Sequence, residues 1–525
     1  MDHRQIKYPG HINMRTFMRI TLLTILLTVC YIPVSNAYTK SRYYESGKKG
    51  YELVLDMKYH EADNIFDEMI GMEPKNAIGY LYKSQSYFHY WQYTFLDPDQ
   101  KALKQFKTLL FKTKDLAEAM LDEDNVETLF VLGSAYGNIG LYYANTNSWL
   151  RAFWYGRKGI KYMTEAVEKD PEYYNAYYCL GIFNYYAATL PKVVKALSFL
   201  IGKIEGDREK AIRQLMIASE KSELKGDAKI FLADSVYYEE RNFEKALPLL
   251  EELKIEYPDN HYISLALAVS CRNLNRYDLS VRTLNASLHS ESLRKFPYLD
   301  GDIYYNLGRA YSGMNEYDRA ISSYKKAYKI SKNLKGVIPH QFDAWSLYEI
   351  GDAYEMLGSI NEARKYYSKI KRNNRNAYES TRRRFKNPLT PAQIKLIKGK
   401  NYLGCARYKK AKRILTGLIN SEADDDAADN TVKAEALLYL GEVEYHLKEY
   451  EDSIRTLNKV FTIDDVRKEW IVPWSHYWLA GCYREIGEIN RAEREYDIAY
   501  EYNNSGIRYK IDKARNDIKR HIRHE

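Results

Sequence analysis

The side chains of this 525-residue chain best equipped to recognise a ligand are its aromatics: 51 Tyr and 7 Trp, against 11 His and 5 Cys. Tyrosine and tryptophan offer wide flat faces with one polar handle, which suits binding more than turnover. His60, His89, His261, His340, His446 and His476 are scattered without ligand spacing, and His521 and His524 stand in a charged tail. No HExxH, P-loop, nucleophile elbow or GxGxxG occurs. The run Gly133–Gly140 is glycine-rich but lies inside a helical pattern, where its glycines serve close packing. The acidic run Glu422, Asp424, Asp425, Asp426 and Asp429 has neither the turn glycine nor the closing glutamate of a calcium loop. Cys30, Cys179, Cys271, Cys405 and Cys482 form no CxxC and read as free thiols, the last four packed as small apolar residues. The expectation is a protein that is not an enzyme and has no cofactor and no metal.

The formal charge of +9 is mild for this length and does not point to nucleic acid. Part of it sits in the segment 371–386, with Lys371, Arg372, Arg375, Arg382, Arg383, Arg384 and Lys386 against Glu379. Such a segment is either an anionic contact, for an acidic partner or a lipid headgroup, or a solvated connector partnered by the acidic run at 422–429.

The aromatic residues sit on elements of one kind. In Gly301–Ala327, Tyr304, Leu307, Gly308 and Tyr311 share one face of a helix, and Ala320, Tyr324 and Ala327 one face of a second. Gly313 and Asn315 interrupt the pattern between them. Gly308 and Ala320 are small where the two helices cross, so the large side chains around them can interlock. The arrangement recurs with Gly50, Ala62 and Phe66, with Gly351, Ala363 and Tyr367, with Gly441, Ser453 and Leu457, and with Ala480, Ala492 and Tyr496.

These motifs resemble the tetratricopeptide repeat (TPR), a helix–turn–helix unit of about 34 residues. The resemblance covers residues 43–503 in about eleven units and implies an all-α fold, an α–α superhelix in which each hairpin hides its apolar face on the next.

Along the chain, residues 1–37 read as a secretory signal: Arg15 and Arg19 precede the apolar run Ile20–Val29, and Ser35-Asn36-Ala37 supplies small residues for cleavage. Residues 1–13 read as an upstream extension, with an uncleaved anchor or lipidation at Cys30 as the other readings of the segment. Residues 43–226 are divergent repeats holding an inserted apolar helix at 191–204, which reads as packed into the array rather than laid on a membrane. Regular repeats fill 227–370, a basic linker 371–391, further repeats 392–503, and a charged, solvating helix 504–525.

The resemblance also implies a curved rod whose first helices line a concave, peptide-binding face. Carried onto this sequence, the inward positions are Tyr178, Tyr185 and Tyr186, then Tyr238 and Tyr262, then Tyr305 and Arg309. Trp345 and Tyr348 follow, then Tyr445 and His446, then Trp474, Tyr477 and Arg484. The function expected is a non-enzymatic scaffold that binds a protein or peptide, exported to a periplasm or cell surface for envelope assembly or secretion. The alternative is a glycan-binding module, its rings stacked on sugars.

Overall fold

The computed structural model describes residues 42–94, 100–189, 206–238, 240–290, 293, 296–333, 341–420, 430–502 and 505–522. Among them there is no strand. The signal segment, the inserted helix at 191–204 and the acidic run at 422–429 lie outside the described residues.

The helices pair in chain order. The first hairpins are α1 (Arg42–Leu55) with α2 (Tyr59–Met72), α3 (Ala77–Thr94) with α4 (Lys101–Ala119), and α5 (Val126–Asn145) with α6 (Trp149–Lys169). Next come α7 (Tyr174–Thr189) with α8 (Arg208–Lys221), and α9 (Lys225–Phe231), which runs on as a π-helix over Leu232–Tyr238, with α10 (Phe243–Glu256). The middle holds α11 (His261–Asn273) with α12 (Tyr277–Leu288), α13 (Pro297–Gly313) with α14 (Tyr317–Asn333), and α15 (Gln341–Met356) with α16 (Ile360–Tyr367). A single helix, α17 (Arg375–Lys386), stands where a linker is expected. The array resumes with α18 (Pro391–Gly404) and α19 (Tyr408–Ile419), α20 (Asn430–His446) and α21 (Tyr450–Asn458), and α22 (Ile471–Glu485) and α23 (Ile489–Glu501). It ends on α24 (Ser505–Ile522).

Two local rules repeat. The turn inside a hairpin holds a left-handed residue, at Met57, Asn147, Arg241, Asn275, Asn315, Gly358, Ala406, Lys448 and Gly487. That one residue reverses the chain so that the second helix packs back on the first. The crossing point is steric. An added Cβ on Gly50 would lie 2.5 Å from Phe66, on Gly399 2.6 Å from Leu415, and on Gly441 2.5 Å from Leu457. Each partner stands sixteen positions after its glycine, so the second helix drops a large side chain into the notch.

Several first helices also approach the first helix of the next hairpin: α1 meets α3, α11 meets α13, α13 meets α15, α18 meets α20 and α20 meets α22. Second helices do not approach one another so closely. The stack therefore curves with its first helices inside.

The curve also closes on itself. Asp56, just after α1, accepts a hydrogen bond from the Asp259 backbone N–H at 2.8 Å, and Asn260 Nδ2 donates to the Leu55 carbonyl at 2.6 Å. His89 Nε2 lies 3.9 Å from Asp227 Oδ1, both fully buried. A second closure joins α18 to an earlier turn: Asn315 Nδ2 donates to the Lys398 carbonyl at 3.1 Å, and Asn401 Nδ2 to Asn315 Oδ1 at 2.8 Å. Side-chain amides suit such seams, because they satisfy backbone groups of another turn without leaving buried donors unpaired.

Two smaller expectations change. The charged C-terminal helix is a packed lid: Ile507, Ile511 and Ala514 are buried against the last hairpin. Cys271, Cys405 and Cys482 are free thiols, but Cys179 is disulfide-bonded.

Candidate functional site

The inner wall formed by the first helices is the candidate site. Its middle spans three consecutive hairpins. Tyr305 of α13 donates from its hydroxyl to Glu349 Oε1 of α15 at 3.3 Å. Burial pushes the Glu349 carboxyl up, while Arg309, the Tyr305 hydroxyl and Arg272 of α11 pull it back. Asp302, one turn before Tyr305, is pushed up to about 8 by burial. Arg309, Glu349 and Asp302 are half-buried rather than sealed. Crowded by protein yet touching water, they have the surroundings that a concave wall gives a carboxyl.

Tyr262, one hairpin earlier, donates to Asp234 Oδ2 at 2.7 Å. Asp234 sits in the π-helical stretch after α9. The wider turn there leaves the Ser235 carbonyl to accept from Tyr185 at 3.0 Å.

Beyond Glu349 the wall changes character. Trp345 packs edge-on to Tyr348, ring centroids 5.6 Å apart, and Tyr348 lies 5.7 Å from the Tyr367 ring. Arg384 of α17 pairs with Asp352 and lies 3.7 Å from Glu355 Oε2. The expected connector is thus a docked helix, with Ala377 and Thr381 buried and its inward arginine held by α15. Lys371, Arg372, Arg375, Arg382, Arg383 and Lys386 remain exposed, Arg375 paired with Glu379 at 2.9 Å.

The last two hairpins carry an aromatic cluster. His446 stacks on Tyr408 with centroids 4.9 Å apart, Tyr445 lies 5.1 Å from Trp478, and Tyr477 packs edge-on to Trp474 at 5.4 Å. Arg484 Nη2 donates to the Tyr445 hydroxyl at 3.2 Å. Lys510 of α24 lies 5.0 Å over the Trp474 ring. Burial, and then Lys510, hold His446 below its ordinary pKa, and burial pushes Glu442 up to about 7.

The expected wall residues fall into two groups. Arg309, Trp345, Tyr348, Tyr445, Tyr477 and Arg484 are half-buried, and His446 is exposed. Tyr178, Tyr185, Tyr186, Tyr305 and Trp474 are buried: Tyr185 and Tyr186 pack edge-on to Phe231 at 5.8 and 5.4 Å, in the seam between α7 and α9. The Tyr238 side chain lies outside those described. Sequence reasoning missed the acids Asp302, Glu349, Asp352 and Glu442. Carboxylates occur on every solvent face of a helical array, so they drew no weight there. The signal that could have found Asp302 was its helical spacing, one turn ahead of Tyr305 on the same face.

Family models for the tetratricopeptide repeat match residues 301–334 and 345–377, each one hairpin of the array and together carrying the centre of this wall. The chain is a tetratricopeptide-repeat protein. No curated protein matches it in sequence. Among solved structures, this TPR protein is similar to a tetratricopeptide repeat protein from Parabacteroides merdae, at 14% identity over 55% of this chain and 97% of that one, TM-score 0.23. It is also similar to the quorum sensor NprR from B. thuringiensis, at 16% identity over 80% of this chain and 97% of that one, TM-score 0.29. Scores so low carry no inference beyond the likeness. Repeats of this family generally mediate protein interactions, and this TPR protein is in that general sense a protein-binding scaffold.

Proposed function

We propose that this TPR protein is an adaptor that holds an extended peptide segment along its first helices, without turnover, and that basic side chains of the segment meet the inward acids. One observation carries the reading: Asp302 and Glu349 come from consecutive hairpins onto the wall that Tyr305 bridges, crowded enough to resist ionisation yet still in contact with water. An incoming lysine or arginine would replace that unfavourable solvation with an ion pair. Alternating side chains of an extended chain would meet successive helices of the wall. The signal-like segment at 1–37 supports export to a periplasm or cell surface, where an adaptor of this shape would serve envelope assembly or secretion.

The test is capture of peptides from an envelope-protein digest by the full chain, followed by affinity measurement on the captured sequences. The double variant Asp302→Asn/Glu349→Gln is expected to weaken binding of basic peptides by about tenfold, as loss of a few central contacts does. Equal affinity in the variant would reject the groove. Binding of oligosaccharides that is lost in Trp345→Ala/Tyr348→Ala would move the assignment to the glycan reading.

A further inference from the structure

The outer face holds a second surface of different chemistry. On α6, Ala152, Gly159, Met163 and Ala166 are buried against the array. The opposite side therefore presents Leu150, Trp154, Arg157 and Lys161. Trp149, Leu150 and Trp154 are 44, 73 and 52% exposed, and no other Trp among the described residues is exposed. Arg151, Arg157 and Lys161 are exposed beside them. The second helix of the preceding hairpin, α4, reaches it through Phe111, edge-on to Tyr155 at 6.2 Å, and adds the exposed Lys101, Lys104 and Lys112.

Neither helix carries an acid from Lys101 to Lys114 or from Trp149 to Thr164. The acids come later on both helices, and several are held by lysines: Lys161 lies 3.5 Å from Glu165, and Lys114 lies 2.7 Å from Asp115 and 2.9 Å from Glu118. Two indoles and a leucine exposed among cations are costly in water and well placed at a headgroup boundary, where indole rings favour the interface and each cation gains from anionic lipid.

We propose that the outer face of α4 and α6 lies on an anionic bilayer surface, with Trp149, Leu150 and Trp154 inserted between headgroups. A convex ridge suits a broad soft surface better than a protein pocket, and lysine, which supplies all three exposed cations on α4, is depleted at protein interfaces. Among the described residues no helix is long and apolar enough to cross a membrane; the contact proposed for this face is peripheral. It leaves the inner wall free for a partner.

The experiment is co-sedimentation of the full chain with phosphatidylcholine vesicles, with and without phosphatidylglycerol, at low and high salt. Binding is expected only with the anionic lipid and is expected to weaken at high salt. Trp149→Ala/Leu150→Ala/Trp154→Ala is expected to lower it by about tenfold or more with an unchanged circular dichroism spectrum. Should that variant misfold, brominated phosphatidylglycerol decides on the folded chain: it must quench the wild-type emission more than that of Trp149→Phe/Trp154→Phe. No sedimentation with anionic vesicles, or equal quenching of the two chains, overturns the proposal. Capture of an acidic protein through this face in place of vesicles would overturn it too, in favour of a protein interface.

Discussion

Tyr324 fills the space that a side chain on Gly308 would need: an added Cβ would lie 2.5 Å from its Cδ1. The tyrosine is fully buried, with its hydroxyl 3.3 Å from Ser312 Oγ, so the ring is fixed at both ends and cannot swing aside. Gly308→Ala is therefore expected to destabilise the central hairpin by about 1–3 kcal/mol, although alanine is the better helix former. Gly417→Ala is the control. Its added Cβ meets nothing within 4 Å on α19, so stability should rise by about 0.5–1 kcal/mol. Urea midpoints that move in the same direction for the two variants would refute the steric account.

The hairpin turns differ in how well their residues tolerate a left-handed backbone. Asn275 and Asn315 suit it, whereas Lys448 holds φ 63° with a long exposed side chain. Lys448→Gly should stabilise the turn between α20 and α21 by about 1 kcal/mol, because glycine has no Cβ to clash with the carbonyl. A thermal midpoint at or below that of the wild type would count against strain at this position.

The seam between the first turn and the fifth hairpin makes a pH prediction. Burial holds His89 neutral, its pKa pushed down from 6.5 to about 3, and holds the Asp227 carboxyl protonated, pushed up from 3.8 to about 7 despite a hydrogen bond from Tyr51. In the unfolded chain the proton sits on the histidine instead, so between about pH 4 and 6.5 the pair binds one proton in either state and contributes no slope. His89→Gln leaves a raised acid, whose stabilisation is full below about pH 4 and is lost as pH climbs to about 7. Asp227→Asn leaves a depressed histidine, whose stabilisation is full above about pH 6.5 and is lost as pH falls. Melting curves across that window should therefore tilt in opposite directions, by up to about 1.4 kcal/mol per pH unit. Parallel tilts would show that the two groups are not buried together.

Arg384 pins α17 to α15. Glu355 is 3% exposed, and Arg384 is its cation. Arg384→Ala leaves that carboxyl buried without its charge partner, at a cost of about 3–5 kcal/mol if the site stays dry. The expected readout is faster amide exchange across residues 375–386 with the neighbouring hairpins unchanged. Unaltered exchange there would mean that Ala377 and Thr381 alone hold the helix.

Helical spacing selects residues on one face of a helix: Arg309, Trp345, Tyr348 and Tyr477 stand on first helices and are half-exposed. Tyr185 and Tyr186 occupy equivalent positions but are covered, since the π-helical turn after α9 brings Phe231 against both rings. Periodicity within one helix says nothing of a neighbour's distortion. Nor does it give a carboxylate's surroundings, which is why Asp302 and Glu442 stood out only once the packing around them was known.

The sequence by itself determined the hairpin: a glycine, a large residue sixteen positions on and a turn residue between them are local, and sterics leave one way to fold them. It therefore carried the repeat, the all-α class and the two-sided character of each unit. Where one turn of the superhelix meets another was decided only in three dimensions. Asp56 finds Asp259, and Asn315 finds Asn401, through angles summed over the helices between them, and no residue pattern within any one hairpin encodes that sum.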